Sequence, residues 1–246
     1  MPATRTVEVL PTSDKLFHAA AAEFVRIGNA AIARNKRFTV ALSGGTTPKL
    51  LYSLLANEHS RFAWRQTFLF FGDERHVPPD HEDSNYRMVK ESMLSRLSMP
   101  PKNIHRVPAE NRDAHAAAAE YEHDIRLFFQ LKPDHFPTFD LILLGLGADG
   151  HTASLFPNSQ ALKEQSKMVV ANFVEKFNAY RITFTYPVLN HAAEVMFLVS
   201  GTDKAKIASV VLEGENNPPF PAQKVRPAEG RLLWMLDQDA ADRLTS

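Results

Sequence analysis

The clearest chemistry in this chain lies at the end of Phe139-Asp140-Leu141-Ile142-Leu143-Leu144-Gly145-Leu146-Gly147-Ala148-Asp149-Gly150-His151-Thr152. An apolar run without alternation predicts a strand buried on both faces, as in a parallel sheet. It stops at Gly145 and Gly147 and delivers Asp149 and His151 into a glycine-flanked turn. In open α/β sheets, ligands bind just beyond the carboxyl ends of the strands. An imidazole titrates near neutral pH and can activate a water or protonate a leaving oxygen. Asp149, two residues away, is available to set its tautomer. Taken singly, His151 can also be a residue that merely caps the following turn.

Three other segments end a strand with polar residues. Ser43-Gly44-Gly45-Thr46-Thr47-Pro48 joins two glycines and three hydroxyls to a helix start, where free N–H groups attract phosphate. It has neither the Gly-Lys-Ser/Thr ending of a Walker loop nor the spaced glycines of a dinucleotide fingerprint. A tight turn whose Thr caps the helix is the plainer alternative. In Gly72-Asp73-Glu74-Arg75-His76, Asp73 can serve as a base or orient a hydroxyl, and Arg75 can hold a phosphate in a forked geometry. A surface ion pair is the competing reading there. In Gly201-Thr202-Asp203-Lys204, a lysine stands near the positive end of a helix, which is unfavourable unless an anion shares the site. Arg181, at the start of a strand, is a candidate second cation and, by itself, an ordinary surface residue.

The elements that must position these groups alternate along the chain. Strands are expected at Thr6–Leu10, Arg37–Leu42, Thr67–Phe71, Ile104–Val107, Phe139–Leu144, Met168–Phe173, Arg181–Thr185, Val195–Val199 and Arg231–Leu236. Helices are expected from a Ser13 cap to Asn35, from Pro48 to Ala56, and over Ser84–Leu97, Asp113–Leu131 and Asp203–Leu212. Asn216–Pro227 is proline-rich and reads as a packed surface loop. Such alternation predicts a single α/β domain over residues 1–246, its mostly parallel sheet covered by helices on both faces.

Composition narrows the function. The 246 residues carry 28 basic and 28 acidic side chains, so no general field attracts nucleic acid or an anionic membrane. The absence of cysteine excludes disulfides, thiolate metal sites and a cysteine nucleophile. His76 and His81 read as solvated. His105, His115, His123, His135 and His191 lack metal-ligand spacing, so no metal site is expected. Phe128, Phe129 and Trp234 read as core. The N-terminal residues lack a signal-peptide pattern, and no apolar run approaches the roughly 18 residues of a membrane span. The expectation is a soluble cytoplasmic protein with no implied obligate protein partner.

Taken together, the segments Ser43–Pro48, Gly72–Arg75 with Ser84-Asn85-Tyr86, Gly145–Pro157 and Gly201–Ala205 resemble 6-phosphogluconolactonases. The similarity runs from about residue 10 to Trp234-Met235-Leu236-Asp237. The resemblance implies a Rossmann-like fold shared with glucosamine-6-phosphate deaminases, no cofactor, and hydrolysis of a sugar-phosphate lactone in the pentose phosphate pathway. The deaminases pair their histidine with a glutamate five residues later; here Phe156 stands at that position, which favours the lactonase. His151 is then expected as the base, with Asp73 or Asp149 orienting it or the sugar hydroxyls. Ser43, Gly44, Gly45, Thr46, Arg75, Arg181 and Lys204 are expected around the phosphate, and backbone N–H groups of the glycine turns are candidates for the oxyanion. A sugar-phosphate sensor on the same fold would keep the cations and lose the base.

Overall fold

In the computed structural model, which describes residues 4–216 and 218–245, the expected alternation produces two sheets rather than one. Strands β1 (Thr4–Leu10), β2 (Phe38–Leu42), β3 (Thr67–Phe71), β5 (Leu141–Gly145), β8 (Glu194–Val199) and β9 (Arg231–Asp237) form a parallel sheet in the order β1-β9-β8-β5-β2-β3. Every residue of β2 is buried, as are the first four of β5, which requires cover on both faces. The helices are α1 (Ser13–Asn35), α2 (Thr46–Glu58), α3 (Asn85–Ser92), α4 (Ala114–Phe129), α5 (Tyr186–Leu189), α6 (Ala205–Glu213) and α7 (Gln238–Ala241). Leu16, Ala20, Phe24, Ile27 and Ala31 form the buried stripe of α1. Trp234 of β9 stacks on Phe197 of β8 with ring centroids 3.8 Å apart, placing it in the core.

The second sheet was not foreseen. Strands β4 (Asp73–Arg75), β6 (Val169–Val174) and β7 (Ala179–Phe184) are antiparallel in the order β4-β7-β6. Periodicity cannot distinguish these strands from members of the main sheet, and Asp73-Glu74-Arg75 has no apolar pattern at all. Several boundaries also move. Thr12, not Ser13, caps α1, its side chain accepting from Lys15 N. Pro48 is the third residue of α2, not the first. The helix expected to reach Leu97 ends at Ser92, because Met93 leaves helical geometry before a 3₁₀ turn at Leu94–Arg96. Ile104–Val107 is not a strand; only the single bridge Leu69–Ile104 forms there. Lys204 closes a 3₁₀ turn, Thr202–Lys204, that leads into α6. Within Asn216–Pro227, Pro221–Lys224 is a 3₁₀ turn, and Asn217 lies outside the described residues. Among the described residues, no helix is long and apolar enough to cross a membrane.

Candidate functional site

Strand order creates the site. From β2 the chain moves outward to β3 on one side, whereas β5 leads through β8 and β9 towards β1 on the other. The loops after the neighbouring strands β2 and β5 therefore diverge and leave a crevice at the carboxyl ends. A cavity of about 310 Å³ occupies it, lined by Ser43, Gly44, Gly45, Thr46, Asp73, Arg75, His151 and Lys204, among others. Eight of the ten residues singled out in the sequence thus line one cavity. Asp149 and Arg181 do not line it; each stands beside a residue that does.

The β2 loop enters α2 through Gly45, whose φ of 105° is left-handed territory that favours glycine. Among the described residues no side chain caps this helix, contrary to the simpler turn reading, so its first N–H groups stay open to an anion. The Tyr52 hydroxyl donates to Ser43 O at 2.8 Å and accepts from Ser43 N at 3.0 Å. Ser43 Oγ is left buried without a partner among the described residues.

Strand β4 alternates its functions. Asp73 and Arg75 share one face, and Glu74 takes the other. Glu74 is buried and accepts from the N–H groups of Arg75, Asn85 and Tyr86 at 2.7–2.8 Å and from Ser84 Oγ at 3.2 Å. Burial pushes its carboxyl up, against those three N–H donors that pull it down. Its role is to seat the start of α3 on β4, and Asn85 then reaches back, donating from Nδ2 to Asp73 O at 2.9 Å. Asn85 also packs so closely on Gly44 that a Cβ there would lie 1.9 Å from its Oδ1. Neither Glu74 nor Asn85 is marked as functional by its sequence context; the Ser84-Asn85 helix start is the signal available for them.

Arg75 lies directly opposite Arg181 in the β4–β7 register. Its guanidinium donates to Asp83 O, while that of Arg181 lies 5.2 Å from the centre of the Phe177 ring. Burial, reinforced by the charge of Arg75, holds Arg181 below the usual guanidinium value. Like charges directly opposite each other are unfavourable in an antiparallel pair, and an anion between them relieves the repulsion. Lys204 faces the same cavity, its Nζ 3.4 Å from the exposed Asp203 carboxylate.

His151 is held on three sides. Asp149 Oδ1 contacts ring Nδ1 and also accepts from the His151 N–H at 3.3 Å. Phe156 stacks on the ring at 4.1 Å, and Gly147 backs it. Burial opposes the charge on Asp149, but the hydrogen bond and charge of His151 outweigh it and keep the carboxyl below its ordinary value. An ionised Asp149 fixes the proton on Nδ1 and leaves the lone pair on Nε2, which no described residue hydrogen-bonds. Asp73 is bonded to Ser154 Oγ at 2.7 Å instead, so Asp149 is the carboxylate in contact with the imidazole. Among the described residues, no three His, Asp or Glu side chains gather in a metal-ligating arrangement.

A Cβ added at Gly147 would stand 2.0 Å from His151 Nδ1. Gly147→Ala is therefore expected to push the ring off Asp149 and lower turnover at least about tenfold, the loss equivalent to roughly 1.4 kcal/mol in the barrier. Thermal melting should show a folded variant. Unchanged turnover would mean that the imidazole orientation does not matter.

Comparison with known proteins gives one answer along the whole chain. Residues 11–234 match the model of the glucosamine-6-phosphate isomerase/6-phosphogluconolactonase family. A 6-phosphogluconolactonase of Nostoc sp. is 40% identical, covering 98% of this chain and 99% of its own. One from Synechocystis sp. is 43% identical over 87% of this chain and 88% of its own. The solved 6-phosphogluconolactonase of Trypanosoma cruzi superposes with a TM-score of 0.90 at 32% identity, covering 100% of this chain and 99% of its own. A match of this extent, in sequence and in fold, means that the chain belongs to the glucosamine-6-phosphate isomerase/6-phosphogluconolactonase family.

Proposed function

We propose that the protein hydrolyses 6-phospho-D-glucono-1,5-lactone to 6-phosphogluconate, as a step of the pentose phosphate pathway, with water activated by His151. The observation that carries this reading is the Asp149–His151 pair at a cavity that His151 lines together with Arg75 and Lys204. A lactone is an activated ester, so a positioned water, a base and charge stabilisation suffice. Nε2 takes a proton from water as its oxygen attacks the carbonyl carbon, and Asp149 stabilises the resulting imidazolium. Backbone N–H groups of the glycine turns are candidates to stabilise the oxyanion. The imidazolium then returns the proton to the ring oxygen as the carbon–oxygen bond breaks. The phosphate binds among Ser43–Thr46, Arg75, Arg181 and Lys204, and holds the carbonyl at His151 without joining in the chemistry.

The family's other reaction, on glucosamine 6-phosphate, is disfavoured by Phe156. An aromatic ring stacked on the imidazole supplies neither charge nor hydrogen bond to tune it for ring opening. Purified protein should consume the phosphorylated lactone well above its spontaneous rate and release ammonia from glucosamine 6-phosphate only at background. Robust ammonia release would reverse the assignment within the family.

A further inference from the structure

Ser154, three residues beyond His151, is 2% exposed, and each of its polar groups is taken by a side chain from a different strand of the small sheet. Its hydroxyl donates to Asp73 Oδ2 on β4 at 2.7 Å. Its N–H donates to Thr183 Oγ1 on β7 at 3.1 Å, and its carbonyl accepts from Asn172 Nδ2 on β6 at 2.8 Å. The Thr183 hydroxyl itself donates to Phe184 O at 3.1 Å, so its oxygen is available to accept the Ser154 N–H. Thr183 and Asn172 are also buried. Buried networks with all partners present are rigid, because any broken bond leaves a desolvated group unpaired.

The preceding residue, Ala153, lines the cavity with φ of 46°, a left-handed conformation that residues bearing a Cβ rarely adopt. Such a conformation persists only where its surroundings over-determine it. Here the three bonds to Ser154 do so. The segment that follows His151 is thereby fastened to the sheet that carries Asp73, Arg75 and Arg181.

We infer that Ser154 is a positioning residue that acts through Asp73. Its hydroxyl occupies Oδ2 and fixes the carboxylate, leaving Oδ1 for a sugar hydroxyl or the attacking water. It also fixes the distance between that carboxylate and His151. The inference rests on the reading of Asp73 as a residue of the lactone site.

A double-mutant cycle tests it, because residues that act as a unit are not additive. Turnover of the phosphorylated lactone, KM and melting temperature are measured for Ser154→Ala, Asp73→Asn and the double variant. Ser154→Ala is expected to lower kcat by about tenfold or more, as for a lost hydrogen bond to a charged group, with KM little changed. In the Asp73→Asn background it should cause no further loss. Losses that multiply would overturn the inference, as would wild-type kcat in Ser154→Ala beside an impaired Asp73→Asn. Full activity in a folded Asp73→Asn would instead overturn the reading of Asp73, and the inference with it. Should Ser154→Ala not fold, Ser154→Cys places a weak donor of similar size at the same position. It is expected to lose kcat in the same way, and wild-type kcat in that folded variant would be contradictory.

Discussion

Replacing His151 with alanine is expected to lower kcat for the phosphorylated lactone by about 10²–10⁴-fold, the usual contribution of a positioned general base. Asp149 lies behind the ring, and Asp73, its Oδ2 held by Ser154, is the other carboxylate that lines the cavity. His151→Gln should be similarly impaired, since an amide cannot take a proton from water. Neither change should unfold the protein, because the imidazole is partly exposed and contributes chiefly its stack on Phe156. Melting temperature and circular dichroism check that point. A folded His151→Ala enzyme with near wild-type kcat would remove the imidazole from the mechanism and make Asp73 the leading base.

The second large effect concerns the phosphate. Charge-assisted hydrogen bonds contribute roughly 1.5–3 kcal/mol each, so Arg75→Ala and Lys204→Ala should each lower kcat/KM on the phosphorylated lactone by about one to two decades. Gluconolactone without the phosphate should be a poor substrate, and on it neither change should matter much. Arg75 also donates to Asp83 O, so its removal loosens the loop before α3. Among the described residues, the Lys204 ammonium has only an exposed carboxylate as its partner, which makes it the cleaner probe. Equal losses on both lactones would show that these cations do not read the phosphate.

Much of this arrangement is legible in the residues themselves. Phe139–Leu144 announces a strand buried on both faces, and the two glycines after it mark where the chain must turn. The spacing of Asp149 and His151 allows the contact found. Gly45 and the open start of α2 follow from a glycine pair before a helix. What was hidden depends on pairing. Strand β4 has three polar residues and no periodicity, so its antiparallel register with β7, which sets Arg181 against Arg75, has no trace in either segment alone. Glu74 looks like a surface charge until α3 folds back and covers it with N–H groups. Ser154 reads as one more small residue in a loop, because its partners lie 18, 29 and 81 positions away. Ile104–Val107 misleads in the other direction: its strand-like composition finds only one bridging partner at the sheet edge.

The most direct test of the account is the pH dependence of kcat on the phosphorylated lactone, corrected for spontaneous hydrolysis, for the wild type and His151→Gln. Only a neutral imidazole has a lone pair to accept a proton, so wild-type kcat should fall on the acid side. Asp149 is held below the ordinary carboxylate range by the hydrogen bond and charge of His151, so a limb above that range is not its own. The account predicts an acid limb in the wild type that is missing from the small residual activity of His151→Gln. A wild-type kcat with no acid limb, and His151→Gln close behind it, would contradict the account.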